Sequence, residues 1–299
     1  MDPLITDTSL FISQAHDRAR NLIKTGVWRS IELHRLNTWL IQFEQYDASL
    51  LGAVLLDNLI FKTRAQLLAM LEYLLICPQL CSGYQWDYEL AEALARRKDI
   101  GVRLTPAISL AQPPTKSGPY ILRLLQRHFR IRDEWLVWPQ EIEQLDAGVK
   151  LLVIVDDFLG SGTQFSEFAK IAHLKQVNAA RPEIRIVYLV AAAHEDGINE
   201  LRQAFPFVEI VCADLLSASY HLFDSERLDA KYRVSITGLL RNQYLEIAGR
   251  AGLPLDGKAG PFGFGNQGLS YAFEHATPNN SLPIYWYSGS QHWNPVLDR

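Results

Sequence analysis

The sequence predicts an α/β fold, a parallel sheet flanked by helices, with an N-terminal helical extension. Short runs rich in Val and Ile follow one another from about residue 102: "VRLTPAISLA", "KLLVIVDD", "IRIVYLVAAA" and "VEIVCADLL". Uninterrupted apolar runs of this length are typical of strands that are buried on both faces. Helical segments separate these runs, and the alternation of strand and helix is the pattern of a parallel sheet: "GPYILRLLQRHFRI", "GTQFSEFAKIAHLKQ" and "GINELRQAF".

The first hundred residues differ in pattern from the rest of the chain. Apolar residues recur at three- and four-residue spacing, which predicts amphipathic helices, in "NLIKTGVWRSIELHRLNTWLIQFEQ", "DASLLGAVLLDNLIFKTRAQLLAMLEYLLI" and "YELAEALARRKDI". The C-terminal segment is rich in Gly, Pro, Asn and aromatic residues, which predicts long ordered loops and one strand, "LSYAF". We therefore expect a helical extension over residues 1–100 and an α/β domain with long C-terminal loops over residues 101–299.

Composition excludes several classes of protein. The chain has 299 residues with a formal net charge of −4, which argues against a surface that binds nucleic acid throughout and leaves a local basic patch open. No apolar run reaches the length of a membrane span, and the start "MDPLITDTSLF" lacks the order of a signal peptide. Three cysteines are too few for a disulfide framework. We expect a cytoplasmic protein with no membrane partner.

The stretch "LLVIVDDFLGSGTQF", residues 151–165, predicts a strand that delivers two carboxylates to one edge of the sheet. The apolar run ends at Asp156, so Asp156 and Asp157 emerge at the carboxyl end of a central strand. That edge is where open α/β sheets bind their ligands.

The loop after these acids has the residues of an anion site. Gly160 and Gly162 relax the backbone, so that successive N–H groups can converge on a phosphate. Ser161 and Thr163 add hydroxyl donors, and the next helix starts near Thr163 with the positive end of its dipole at the loop. A phosphate beside two carboxylates suggests a phosphorylated sugar, with the carboxylates accepting hydrogen bonds from its hydroxyl groups.

Two rival interpretations use the same region or a similar motif. The stretch "DDFLGSGTQF" also resembles the cofactor motif of amino methyltransferases, but those enzymes normally have proline in place of Asp157. They also need a catalytic tetrapeptide with Asp, Asn or Ser before a double proline and an aromatic residue after it. The only Pro-Pro segment, "AQPPTKSG", has Gln112 and Thr115 at these two positions. A nucleotide triphosphatase is suggested by "GLPLDGK", residues 252–258, but Ala259 stands where a magnesium-binding Ser or Thr is needed. The first rival is weaker than a sugar-phosphate site, and the second is set aside.

An earlier loop between strand and helix offers a second anion site. Lys116, Ser117 and Gly118 could take a pyrophosphate, with Lys116 as the cation. The same residues could equally form a surface turn in which Ser117 caps the helix. The sequence leaves these two interpretations open.

The motif of residues 151–165 resembles the phosphoribosyl-pyrophosphate motif of type I phosphoribosyltransferases. Asp156 and Asp157 match the acid pair, and the Gly160–Thr163 loop matches the phosphate loop. The family usually has a smaller aliphatic residue at Phe158. It usually has Thr, Ser or Ala at position 160, and a small or hydroxylated residue where Gln164 stands. The resemblance implies a sheet of the type I kind, with the Lys116–Gly118 segment as its pyrophosphate loop.

Most of the chain also resembles the phosphoribosyltransferase-like family of bacterial conflict systems, whose members accompany antiphage cassettes, including some retrons. The segment "PNNSLPIYW" is the most specific part of this resemblance. It implies that residues of the C-terminal loops lie near the ligand pocket: Gly265, Asn266, His275, Pro278, Asn279 and Asn280. From their chemistry alone, the two asparagines could instead form an Asx turn, and His275 could be a capping or core residue.

The resemblance implies substitution or hydrolysis at a ribose anomeric carbon, with phosphoribosyl pyrophosphate or a nucleotide as ligand and Mg²⁺ held through that ligand. The implied partners are a retron reverse transcriptase, its nucleic acid or another defence protein. The alternative is a non-catalytic module that senses a nucleotide and gates a partner, which the departures at Phe158, Gly160 and Gln164 favour. Trp286 and Trp293 near the end would either close over a ligand or seal the core.

Overall fold

A computed structural model describes residues 7–77, 80, 90–96, 98–108, 116–254 and 260–299. By its internal contacts the chain divides into two compact units. The terminal unit comprises Met1–Ala65 and Ala218–Arg299, and the central unit comprises Gln66–Ser217. The predicted division at residue 100 stays a prediction.

The helices of the described residues are, in chain order, α1 (Thr8–Lys24), α2 (Leu33–Glu44), α3 (Ser49–Asn58), α4 (Arg64–Ile76), α5 (Leu90–Ala95), α6 (Ser117–Phe129), α7 (Thr163–Ile171), α8 (Leu174–Ala180), α9 (Glu195–Ala204), α10 (Ser225–Tyr232), α11 (Thr237–Arg250) and α12 (Pro283–Trp286). The strands are β1 (Ile60–Lys62), β2 (Val102–Pro106), β3 (Leu151–Leu159), β4 (Arg185–His194), β5 (Val208–Leu216) and β6 (Tyr271–Phe273). None of these helices is long and apolar enough to span a bilayer.

The central unit contains a four-stranded parallel sheet in the order β2-β3-β4-β5. This confirms the predicted parallel α/β fold. Residues 151–157 of β3 are all buried, so both faces of the sheet are covered at this strand, as its apolar run predicts. The edge strand β5 is only partly buried. On one face Leu152 and Ile154 pack in a core cluster with Phe165 and Phe168 of α7 and Leu201 of α9.

Strand β3 is longer than the sequence predicts. The apolar run stops before Asp156, but pairing with β4 continues to Leu159, which lies opposite Ala193. Strand β2 pairs only as far as Pro106, opposite Val155. The two aspartates therefore lie within β3 and beyond the last paired residue of β2.

A short strand interrupts the predicted N-terminal helices. Strand β1 lies between α3 and α4 and pairs in parallel with β6, with Phe61 opposite Ala272. The segment was predicted to be helical throughout because its apolar residues fit helical spacing. The partner strand β6 lies far away in the chain, so the local spacing of apolar residues cannot indicate this pairing.

The C-terminal segment packs against the N-terminal helices within the terminal unit. The Trp39 ring of α2 stacks on Tyr285 of α12 with centroids 5.9 Å apart. The indole N–H groups of Trp39 and Trp293 both donate to the Ile284 carbonyl, at 2.9 and 2.8 Å. Trp286 and Trp293 are buried, so of the two fates considered for these tryptophans the core position is the one observed.

Candidate functional site

Asp156 is a buried carboxyl group that four donors surround. Asp156 is only 1% exposed. Oδ1 accepts from the backbone N–H of Asp157 at 3.0 Å and from the Ser117 hydroxyl at 3.4 Å. Oδ2 accepts from the Gln164 amide at 3.0 Å and from the Tyr188 hydroxyl at 3.2 Å. The carboxyl group is therefore a fixed acceptor that joins two helices and two strands.

Burial governs the ionisation of this group. The pKa of Asp156 lies well above its ordinary value, first because of desolvation and second because of the neighbouring charge of Asp157. The pKa of the Tyr188 hydroxyl is also raised well above its ordinary value, mainly by burial and then by the charge of Asp156. Tyr188 thus keeps its proton and stays a donor to Asp156.

Gln164 links three elements at this point. Its side-chain nitrogen donates to Asp156 Oδ2 and, at 3.3 Å, to the carbonyl oxygen of Ala107 just after β2. A side chain in the first turn of a helix leans towards the N-terminus, which directs Gln164 back to the end of β3. The sequence identified Gln164 only as a departure from the family pattern. Its position in the first turn after the loop was the signal that it could reach the acid.

The loop Gly160–Thr163 forms the N-terminus of α7. Gly162 adopts φ 84°, and a Cβ there would lie 2.5 Å from Leu201 Cδ1, so both backbone conformation and packing require glycine. The hydroxyl oxygens of Ser161 and Thr163 are 3.1 Å apart, and Thr163 is exposed. The loop therefore presents hydroxyl groups at the positive end of α7. Its binding of a phosphate stays a prediction.

The Lys116–Gly118 segment starts helix α6, and Lys116 precedes its first residue. Ser117 lies inside the helix and donates to Asp156, so the alternative in which Ser117 is the helix cap is wrong. A Cβ on Gly118 would lie 3.3 Å from Pro106 Cβ, which shows how closely α6 approaches the end of β2. The structure thus brings the two predicted anion loops to the same acid. The role of Lys116 in binding pyrophosphate stays a prediction.

His194 is a buried residue at the end of β4 that the sequence did not identify. Its Nδ1 accepts from the backbone N–H of Asp196 at 3.2 Å, which caps helix α9. Burial lowers the pKa of the imidazole below its ordinary value. Helix α9 begins at Glu195 and packs behind the Gly160–Thr163 loop, so His194 supports the loop from behind.

The C-terminal residues that the family resemblance assigns to a pocket all lie in the terminal unit: Gly265, Asn266, His275, Pro278, Asn279 and Asn280. Asn280 is buried, and its amide donates to the Phe264 carbonyl at 2.9 Å. This bond joins two turns, whereas an Asx turn would bond the backbone of the same turn. Gly265 and Asn266 both adopt left-handed conformations, with φ 68° and 56°. Their contact with a ligand stays a prediction.

Some of the sequence motifs lie outside the described residues. These are the Gln112 and Thr115 flanks of the double proline, and residues 255–259 of the segment that resembles a triphosphatase loop. Among the residues that the structure describes, no group of three or more His, Cys, Asp and Glu side chains is arranged to hold a metal ion.

A parallel sheet with two aspartates beside a glycine-bearing helix start is the arrangement expected of the phosphoribosyltransferase-like class of α/β proteins. It belongs to the PRTase-CE family, whose sequence model matches residues 36–299.

Several solved structures resemble the chain over part of its length. The AQ2163 protein of Aquifex aeolicus is 14% identical, with a TM-score of 0.31 over 62% of this chain and 83% of that chain. Orotate phosphoribosyltransferase of Aeropyrum pernix is 16% identical, with a TM-score of 0.29 over 56% and 75%. Xanthine-guanine-hypoxanthine phosphoribosyltransferase of Helicobacter pylori is 10% identical, with a TM-score of 0.29 over 53% and 87%. Among curated proteins, none matches the chain.

Proposed function

We propose that this protein binds a ribose 5-phosphate group, as part of phosphoribosyl pyrophosphate or of a nucleotide, and acts at the ribose anomeric carbon. The observation that supports this most strongly is the placement of the Gly160–Thr163 loop at the start of α7, directly after the two aspartates of β3. Backbone N–H groups at a helix start suit a phosphate, and carboxylates suit sugar hydroxyls.

The two aspartates have different roles in this proposal. Asp157 is 6% exposed and accepts hydrogen bonds from the ribose hydroxyls. Asp156 is 1% exposed and already accepts four hydrogen bonds, so it holds Asp157, α6 and α7 in their relative positions. Because these bonds hold Asp156 in place, the acid pair is positioned before the sugar binds.

The leaving group in the proposal is a pyrophosphate near Lys116. The phosphate and hydroxyl oxygens of the ligand are the oxygen ligands that Mg²⁺ prefers, so the metal is held through the bound sugar phosphate. Bound Mg²⁺ would neutralise charge on the pyrophosphate as it departs. Lys116 stands directly before α6, where its ammonium adds positive charge at the start of that helix. Bond cleavage at the anomeric carbon then needs no side-chain base and depends on electrostatic stabilisation of the leaving group.

The biological role that we propose follows from the resemblance to conflict-system proteins. The protein acts in the cytoplasm as an effector or accessory protein of antiphage defence. Its partners are a retron reverse transcriptase, the nucleic acid of that enzyme or another defence protein.

One observation favours a second candidate function, a non-catalytic module that senses a nucleotide. Gln164 replaces the small or hydroxylated residue of type I enzymes, and its amide is used on Asp156 and Ala107. The loop therefore lacks a phosphate donor at this position. A site that binds the sugar phosphate with fewer donors can signal occupancy to a partner without completing a transfer.

The experiment that separates the two functions follows products. The full chain is incubated with phosphoribosyl pyrophosphate, with nucleotides and with Mg²⁺, and release of pyrophosphate or base is measured. An enzyme releases product, and the Asp157→Asn variant loses that activity. A sensor binds the ligand and releases none. If Asp156→Asn combined with Asp157→Asn leaves both ligand binding and phage defence intact, the proposed site is wrong.

A further inference from the structure

A cavity of about 440 Å³ lies in the central unit between helix α6 and residues 133–138. This volume is within the range of small-molecule sites, roughly 300–1,000 Å³. None of residues 156–164 lines it, so it is separate from the aspartates and the phosphate loop. Pro106 and Pro119 are among the residues that line it.

Two arginines provide the charge of this cavity. Arg123 and Arg127 are four residues apart on α6, so they lie on the same helix face one turn from each other, and both line the cavity. Both side chains are exposed, and within the part of the chain that the structure describes neither makes a hydrogen bond or an ion pair. Asp133, an acid in the wall, instead accepts a hydrogen bond from Gln126. The cavity therefore has two guanidinium groups with no anion of their own.

The cavity also has an aromatic side chain in its lining. Trp138 lines the cavity and is 53% exposed, which is unusual for an indole in a folded protein. Its segment is fixed to the sheet, because the backbone N–H of Val137 donates to the Leu104 carbonyl of β2 at 2.9 Å. The backbone N–H of Trp138 donates to the Glu141 carboxylate at 2.8 Å. The ring is thus held on a rigid support.

We propose that this cavity binds a nucleotide, with the base stacked on Trp138 and the phosphate between Arg123 and Arg127. A planar base stacks on the indole ring, and a phosphate binds the two guanidinium groups. Gln126 and Asp133 supply polar contacts to a base edge. The concave shape favours a nucleotide over a flat protein partner. The proposal is independent of the proposed function, because it involves none of the residues of the acid site.

The nucleotide can be a free molecule or part of a single strand, since both present a base and a phosphate. The test titrates the full chain with AMP and with a short oligoadenylate by isothermal calorimetry. Three variants are compared with the wild type: Trp138→Ala, Arg123→Gln with Arg127→Gln, and a control, Lys170→Gln with Arg202→Gln. The control removes the same charge from exposed positions outside the cavity.

We expect the double arginine variant and Trp138→Ala each to weaken one AMP site by about tenfold or more, with the control unchanged. If oligoadenylate binds the wild type more tightly than AMP does, and both variants lose this difference in affinity, the site belongs to a single strand. Equal or weaker oligoadenylate binding assigns it to a free nucleotide. Ribose 5-phosphate has no base to stack, so Trp138→Ala leaves its binding unchanged.

The proposal is overturned if both cavity variants bind AMP and oligoadenylate as the control does. It is also overturned if these variants keep nucleotide binding but lose association with a protein partner, because the surface is then a protein interface. Failure of the acid site gives a different result. In that case Asp157→Asn has no effect on binding, while the site that depends on Trp138 persists.

Discussion

The backbone of Gly197 in α9 lies directly against the carbonyl oxygen of Gly160. A Cβ built on Gly197 would overlap that oxygen and would lie 3.0 Å from Leu159 Cδ1. Helix α9 therefore supports the phosphate loop from behind, and the loop conformation depends on a glycine that lies outside the motif.

Replacing Gly197 with alanine tests this dependence. The added methyl must displace backbone, so we expect a loss of about 1–3 kcal/mol in the free energy of unfolding and weaker ligand binding by the loop. Gly148→Ala is the matched control, because nothing lies within 4 Å of the added Cβ and stability should hardly change. Urea unfolding of the two variants makes the comparison. Equal stability of both would show that α9 does not constrain the loop.

The hydroxyl group of Tyr188 is expected to stabilise the fold through Asp156. Tyr188→Phe removes one of the donors to Asp156 Oδ2, which should cost about 1 kcal/mol. The exposed Tyr73→Phe makes the same chemical change at a hydroxyl that bonds to none of the described residues, and it should be neutral. Chemical unfolding measures both. A Tyr188→Phe protein as stable as the control would contradict a structural role for this hydroxyl.

The buried acid predicts a pH dependence of stability. Because the pKa of Asp156 is raised in the folded protein, the folded state retains a proton that the unfolded chain has lost above its ordinary value of 3.8. The contribution of Asp156 to stability therefore falls as pH rises from that value through the raised pKa. We expect the unfolding free energy of the wild type, minus that of Asp156→Asn, to decrease over this window. A difference that stays constant or grows with pH would refute the raised pKa.

Two tryptophans should differ sharply when truncated. Trp293 is 2% exposed, its ring centroid lies 5.3 Å from that of Phe43 in an edge-on contact, and its indole N–H donates to the Ile284 carbonyl. Trp293→Ala should therefore lower the free energy of unfolding by about 3–5 kcal/mol. Trp138 is half-exposed, and Trp138→Ala should change the free energy of unfolding by less than about 0.5 kcal/mol. Thermal unfolding of both variants provides the check. Comparable losses would mean that Trp138 supports the fold and is not held for a ligand.

Local patterns predicted the sheet and the phosphate loop because strands, acids and glycines are contiguous in residues 151–165. They could not predict that Tyr188 reaches Asp156, because this contact depends on the register that sets Ile154 beside Tyr188. The same limit applies to the terminal unit. Arg35 donates to the carbonyl of Pro295, a contact between opposite ends of the chain that no local spacing encodes.

Gln164 illustrates a different limit. Comparison with the family pattern marked it as a departure, but sequence gives no indication of where a long amide side chain points. In the structure the Gln164 amide donates a hydrogen bond to Asp156, so the residue that departs from the family pattern helps to hold the acid in place.

Ribose 5-phosphate binding tests the central proposal most directly. Calorimetric titration compares the wild type with Asp157→Asn, with Ser161→Ala combined with Thr163→Val, and with the control Asp47→Asn, an exposed acid in a left-handed turn. We predict that the wild type and the control bind alike and that both site variants bind about tenfold or more weakly. Unchanged binding in both site variants, or no binding by the wild type, would contradict a sugar-phosphate site at Asp157 and the Gly160–Thr163 loop.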